Sequence, residues 1–180
     1  MEEIKIKSVF CDYKVNFLED FEKFTKSINK KELHLLVDAG IWRIYKKKIG
    51  KGYFSREIIT PNESNKTLEQ VTKYIKFLLG KNIRKDHKIL VIGGGLAQDI
   101  GSFTSHILLR GVDWIFVPTT LLAMSDSCIG SKSGINVGRF KNQVGSFHPP
   151  VSIFIFPEFI KTLSKEELIN GIGEILKHAL

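Results

Sequence analysis

Lys88-Ile89-Leu90-Val91-Ile92-Gly93-Gly94-Gly95-Leu96-Ala97-Gln98-Asp99 is the stretch whose reading decides the fold. Ile89, Leu90, Val91 and Ile92 form an unbroken apolar run rich in β-branched residues. A strand with one wet face would alternate, so this run reads as a strand buried on both faces. Three glycines end it, and residues 99–109 then carry a helical pattern. Glycines between a strand and a helix make a candidate phosphate-binding turn. They let backbone approach a pyrophosphate, and the helix N-terminus offers free N–H groups and the positive end of its dipole. The pattern is not a full GxGxxG, because Gln98 holds the last glycine's place. Glycine clusters also make plain turns, so these residues alone leave the phosphate reading open. Asp99 either complements the helix dipole or holds a ribose or substrate hydroxyl.

Working outward, the chain alternates strand and helix patterns. On the N-terminal side, residues 67–79 are helical, with Leu68, Val71, Ile75 and Leu78 on one side. Residues 57–60 form a short strand stopped by Pro61. Residues 41–49 continue as a helix with a basic face, and residues 33–37 form a buried strand meeting a turn at Asp38-Ala39-Gly40. Leu18, Phe21, Phe24 and Ile28 are spaced like one helical face, and Ile4 and Ile6 like a half-buried strand. On the C-terminal side, residues 114–117 and 153–156 are strands closed by Pro118 and Pro157. Ser164 and Glu167 make a capping box. This order predicts an α/β fold with a parallel sheet and right-handed crossovers. Residues 167–180 form a helix pattern without a terminator, which reads as part of a longer protein.

Composition excludes several classes. With 43% hydrophobic and 26% charged residues, the chain is neither disordered nor of low complexity. Its best apolar run, residues 107–124, is broken by Arg110 and Asp113, so no membrane span is expected. Acids follow Met1 where a secretory signal would carry basic charge. Cys11 and Cys128 form no CxxC and no disulfide framework, so a reducing, cytoplasmic setting is expected. The net charge of +8 reads as a solvated surface with anion sites. Its densest cluster, Lys46-Lys47-Lys48 with Lys51, lacks a repeat or zinc-finger spacing, so no nucleic-acid partner is expected.

Residues 118–150 are polar and glycine-rich. Arg110, Lys132, Arg139 and Lys141 lie beside glycines, which suits an anionic, phosphorylated substrate. Taken singly, each reads better as a loop cation in water; it is the joint pattern that suits the anion. Glu174 and Lys177 share a face of the last helix, either as a surface ion pair or as a metal-binding carboxylate beside a catalytic ammonium. His178, four residues after Glu174, gets low weight because ExxxH is common.

Together these motifs resemble 3-dehydroquinate synthase and the wider sugar-phosphate cyclases. The likeness rests on Gly93-Gly94-Gly95 through Asp99, Leu109-Arg110-Gly111, Pro118-Thr119-Thr120-Leu121-Leu122-Ala123 and Ser125-Asp126-Ser127. It continues in Gly130-Ser131-Lys132-Ser133-Gly134-Ile135-Asn136, Lys141-Asn142, Leu163 with its preceding Lys161-Thr162, and Gly173-Glu174-Ile175-Leu176-Lys177. It implies a Rossmann-like NAD-binding domain over residues 1–163. Residues 164–180 would begin a mostly helical metal-binding domain whose two histidine ligands lie beyond position 180, so this chain alone should not catalyse. The implied cofactors are NAD and zinc, or another divalent metal such as cobalt.

The resemblance also implies residue roles. Glu63 and Lys66 would contact the adenosine side of NAD, and Gly95, Leu96, Ala97, Gln98 and Asp99 its pyrophosphate. Asp38, Thr119, Thr120, Phe159, Ile160, Lys161 and Thr162 would make further NAD contacts. Lys132 and Lys141 would lie between NAD and substrate. Asp126, Asn142 and Lys177 would hold substrate hydroxyl and carboxylate groups. Arg110 would reach the phosphate across a homodimer, and Glu174 would be the one zinc ligand present. The implied chemistry is redox-neutral: oxidation of a ring hydroxyl, phosphate elimination, reduction, ring opening and aldol closure. On a heptulosonate phosphate this belongs to the shikimate pathway of aromatic amino acid biosynthesis. Gln98, Ser131 and residues 136–141 depart from that pattern, and the Phe140-Lys141-Asn142-Gln143-Val144-Gly145 form is closer to cyclases acting on other sugar phosphates, such as the epi-valiolone type with sedoheptulose 7-phosphate. A metal-dependent alcohol dehydrogenase, which shares the glycine turn and Pro-Thr-Thr, and a non-catalytic descendant are the alternatives.

Overall fold

The computed structural model describes residues 2–180. Its main sheet has seven strands in the order β1 (Glu2–Ile6), β2 (Tyr13–Phe17), β9 (Ser152–Ile155), β6 (Trp114–Pro118), β5 (Lys88–Gly93), β3 (Leu33–Asp38) and β4 (Ser55–Ile59). Only β1 and β2 pair antiparallel; every other neighbour is parallel. Five helices complete the frame: α1 (Phe21–Ser27), α2 (Ala39–Ile49), α3 (Leu68–Gly80), α4 (Gly95–Ile107) and α5 (Lys165–Ala179). Outside the sheet, β7 (Lys132–Val137) and β8 (Phe140–Phe147) form an antiparallel hairpin. The predicted α/β architecture is therefore present. Among the described residues, no helix is long and apolar enough to cross a membrane.

The core explains this layering. All four side chains from Ile89 to Ile92 have no exposed surface. Ile89 and Val91 pack with Tyr74, Leu78, Ile100 and Phe116 on one face of the sheet. Leu90 and Ile92 pack with Phe21, Tyr45, Ile49 and Phe159 on the other. Burying each is worth about 2 kcal/mol, so the run that lacks alternation is held on both faces. On α4, a Cβ added at Gly101 would sit 2.5 Å from a methyl of Val91. The close helix–strand approach of glycine-rich nucleotide folds is thus made at Gly101, not at Gln98.

Strand order also fixes where a ligand fits. From β3 the chain steps outward to β4, then returns past β3 to β5 and runs the other way through β6 and β9. The reversal leaves a crevice at the carboxyl ends of β3 and β5, the place where open α/β sheets bind ligands.

Several expectations need correction. Asp38-Ala39-Gly40 is not a turn: Asp38 caps α2 directly, its Oδ1 accepting from the amides of Gly40 at 2.7 Å and Ile41 at 3.1 Å. Helix α4 begins at Gly95, not at residue 99, because glycines at an N-terminus cost less helix than glycines inside one. Leu18 and Ile28 fall outside α1, whose cap is Asp20. On α3, Leu68 is exposed and Tyr74 is buried in its place. Ile4 is exposed because β1 is the sheet's edge. Residues 118–150 are not simple loops: they hold a π-helical turn (Ala123–Ser127) and the β7–β8 hairpin.

Candidate functional site

The crevice is a cleft of about 430 Å3 lined by Asp38, Gly40, Ile41, Arg43, Ile44, Pro61, Gly94, Gly95, Leu96, Ala97, Thr119, Thr120, Thr162, Leu163 and Glu167. Three strand ends build it: β3 delivers Asp38, β5 the glycines and β6 the two threonines. No side chain caps α4, whose N-cap is Gly94. The first amides of α4 therefore face the cleft without a side-chain acceptor, the arrangement that suits an anion. A Cβ at Gly94 would sit 2.8 Å from the Thr120 methyl, so any larger residue there would crowd the cleft wall. Burial pushes the Asp38 carboxyl above its usual range, with the amides of Ile41 and Gly40 opposing the shift.

Of the proposed cofactor contacts, Asp38, Gly95, Leu96, Ala97, Thr119, Thr120 and Thr162 line this cleft. The rest do not. Phe159 is wholly buried in an aromatic cluster with Phe21, Tyr45 and Phe156. Ile160 is half-buried and Lys161 exposed. Gln98 turns away: its side chain is buried and exchanges two hydrogen bonds with Ser127, accepting from the Ser127 hydroxyl at 2.9 Å and donating to its carbonyl. Gln98 thereby fastens the π-helical turn to the first turn of α4.

Lys66 and Asp99 sit behind the cleft in a polar knot. The buried Lys66 ammonium donates to Asp99 Oδ2 at 3.0 Å and to Asn142 Oδ1 at 2.6 Å. Asp99 Oδ1 accepts from the Gly134 amide at 2.9 Å, and Asn136 donates to Glu63 Oε1 at 2.8 Å. The knot ties α4 and the 3-10 turn Glu63–Asn65 to the hairpin. Burial raises the Asp99 pKa, and Lys66 opposes that shift. Lys132 and Lys141 stand exposed on the hairpin strands.

A third group gathers around α5. Gly171, the buried residue of this helix, lets α5 rest on residues 121–122: a Cβ there would sit 2.6 Å from Leu121 Cβ. This docking brings Glu174 and His178 to Asp126. His178 Nε2 lies 3.2 Å from Asp126 Oδ1 and 3.6 Å from Glu174 Oε1. Lys177 donates to Glu174 Oε1 at 2.6 Å, which holds the Glu174 carboxyl below and the Lys177 ammonium above their ordinary values.

Arg110 stands apart. It lies beyond the C-terminal end of α4, which separates it from the glycine turn by roughly 20 Å at helical rise. Sequence reasoning missed Arg43 and Glu167 in the cleft. Arg43 had a weak signal, lying one turn into the helix that Asp38 caps.

Comparison with known proteins gives concordant results. A family profile described as 3-dehydroquinate synthase N-terminal matches residues 56–170. The 3-dehydroquinate synthase of Clostridium tetani is 35% identical over 180 residues, covering 98% of this chain and 45% of that protein. A 2-deoxy-scyllo-inosose synthase solved with carbaglucose-6-phosphate, NAD+ and Co2+ superposes with a TM-score of 0.84 at 25% identity, covering 98% of this chain and 50% of that one. A 2-epi-5-epi-valiolone synthase from Streptomyces hygroscopicus subsp. jinggangensis, solved with NAD+ and Zn2+ bound, gives 0.82 at 26% identity, covering 96% and 50%. The chain spans about half the length of the proteins it matches.

Proposed function

This chain belongs to the 3-dehydroquinate synthase family, and on that premise we propose that it supplies the dinucleotide-binding half of a sugar-phosphate cyclase. The observation that supports this best is the cleft at the sheet's reversal point, walled by the uncapped start of α4. Residues 1–163 would form the NAD-binding domain, and residues 164–180 the start of a helical, metal-binding one. The protein would work in the cytoplasm.

The residues present fit both cofactors. Amides of Gly95, Leu96 and Ala97 would donate to pyrophosphate oxygens, with Thr119, Thr120 and Thr162 as hydroxyl partners and Asp38 at the mouth. Glu174 would be a ligand for zinc or cobalt, since an oxygen donor beside an imidazole suits either ion. Bound there, NAD would supply reversible hydride acceptance and the metal would polarise a ring oxygen. The chain's own residues would do the rest. Exposed Lys132 and Lys141 would swing over the anionic substrate, Asn142 would hydrogen-bond its hydroxyls and Lys177 would donate to its carboxylate. Arg110 is too far to serve its own cleft and would reach the phosphate only from a second copy, which makes a homodimer part of this reading.

The substrate we propose is a heptulosonate 7-phosphate, with sedoheptulose 7-phosphate as the rival. The test is a chimera in which this chain replaces the matching portion of the Clostridium tetani relative. With NAD and zinc it should release phosphate from 3-deoxy-arabino-heptulosonate 7-phosphate. Release from sedoheptulose 7-phosphate alone would move the substrate to the rival class, and release from neither would refute the cyclase reading.

A further inference from the structure

We propose that Lys85 is a positioning residue for the cyclase reaction: its ammonium gathers the carbonyls of Leu109, Arg110 and Gly111 and fixes the backbone from which Arg110 reaches the phosphate. The inference rests on the reading of Arg110 given above and extends it to the residue that holds it. Sequence reasoning named Arg110 and passed over Lys85, which lies 25 residues earlier on another element.

The backbone around Arg110 departs from ordinary helix and loop geometry. Past the end of α4, a 3-10 turn covers Leu108–Arg110. Leu109 has φ 50°, Arg110 φ 59° and Gly111 φ 99°, all of them left-handed. Glycine adopts that region freely, but a residue with a Cβ does so at a cost. Two such residues side by side persist only where their surroundings over-determine them. Leu108 and Val112 are buried on either side. The Gly111 amide donates to the Leu108 carbonyl at 3.0 Å, and the Val112 amide to that of Ser105 at 2.8 Å. His148 Nε2 donates to the Val112 carbonyl at 3.2 Å. These bonds hold the ends of the turn but use none of the carbonyls of Leu109, Arg110 and Gly111.

Lys85 meets those carbonyls. Its Nζ donates to that of Leu109 at 3.4 Å, to that of Arg110 at 3.3 Å and to that of Gly111. An ammonium has three donors and no acceptor, so one cation matches three converging carbonyls. The C-terminus of α4 lies just before them, and its dipole favours a cation there as well. Lys85 itself stands on a fixed platform. In the segment 81–87, between α3 and β5, Ile83 and His87 are buried on either side of it, and the His87 amide donates to the Arg84 carbonyl at 3.1 Å. The Arg110 side chain is exposed, and among the described residues no carboxylate pairs with it. Its backbone is held while its guanidinium is presented outward, which suits an anion arriving from another molecule.

The test uses the chimera described above, with NAD and zinc and whichever of its two substrates it turns over. Lys85→Ala should raise KM about fivefold and lower kcat less. Lys85→Arg, which still donates to the carbonyls, should recover most of that loss. Lys85→Met, which keeps the stem alone, should not. In an Arg110→Ala background the Lys85 substitution should have no further effect on KM, because the two residues act as one unit. NAD+ affinity should be unchanged throughout, which shows that the variants are folded. In the 13C-labelled 180-residue chain, Lys85→Ala should move the Cα and Cβ shifts of Leu109 and Arg110 out of the left-handed range. Unmoved shifts refute the positioning role whatever the kinetics, and additive losses in the double variant refute the link between the two residues. Arg110→Ala with wild-type KM refutes the phosphate reading of Arg110 instead. A chimera that turns over neither substrate sinks the cyclase reading and the positioning role with it, while the shifts still report whether Lys85 holds the turn.

Discussion

Gln98 shows what a single position can hide. In the sequence it looks like a damaged glycine motif. In the fold its backbone continues α4 while its side chain leaves the cleft and grips Ser127. A glycine there would leave the turn that carries Asp126 without this tether. We expect Gln98→Ala to cost about 1 kcal/mol in urea unfolding, because it leaves a half-buried hydroxyl and carbonyl with fewer partners. It should leave NAD+ affinity within about twofold; a large loss of NAD+ affinity would put Gln98 in the cofactor site after all. The glycine turn itself was legible, since its meaning is local. The partners of Lys66 were not, because Asp99 and Asn142 lie 33 and 76 residues away. No pattern within one helix or strand reports a pairing at that separation.

Among elements, α5 makes the clearest case. Its cap was readable from Ser164 and Glu167, whose capping box is present. Its position was not, because that depends on Gly171, where the absent side chain admits Leu121. Gly171→Ala should lift α5 from the π-helical turn. We expect it to cost about 1–3 kcal/mol in urea unfolding while NAD+ binding persists, and an unchanged midpoint would contradict the docking described above. The β7–β8 hairpin escaped notice for a different reason. In β7 only the adjacent Ile135 and Asn136 are buried and in β8 no residue is, so neither strand carries the alternation by which strands are recognised. β2 shows fair alternation in Tyr13, Val15 and Phe17, yet Phe17 is exposed and Asn16 buried, which blurs the pattern.

At the scale of the whole molecule, the sheet separates two chemistries. Its carboxyl edge holds the cleft. Near its other end lies a buried histidine pair: His34 Nε2 is 2.8 Å from His87 Nδ1, and His34 Nδ1 is 2.7 Å from Ser55 Oγ. Burial, then the neighbouring ring, lowers the His34 pKa from 6.5 to about 4. The unfolded chain therefore binds more protons than the folded one between those values. Stability should be full above pH 6.5 and fall as pH drops through that window, by up to about 3 kcal/mol. Urea midpoints that stay flat between pH 7 and pH 5 would contradict this. The parallel sheet was legible because unalternating strands, glycine turns and proline stops all agree on one architecture. The exposed apolar face of α5, with Ile169, Ile172, Ile175 and Leu176, was readable as amphipathic, but what faces it was not. The central claim is that the cleft at the reversal point takes a dinucleotide, and the most direct measurement is an amide-shift titration of the 15N-labelled chain with NAD+. We predict saturable shifts at Asp38, Gly40, Gly94, Gly95, Leu96, Ala97, Thr119 and Thr120. No shifts at millimolar NAD+, or shifts confined to the hairpin and α5, would contradict the account.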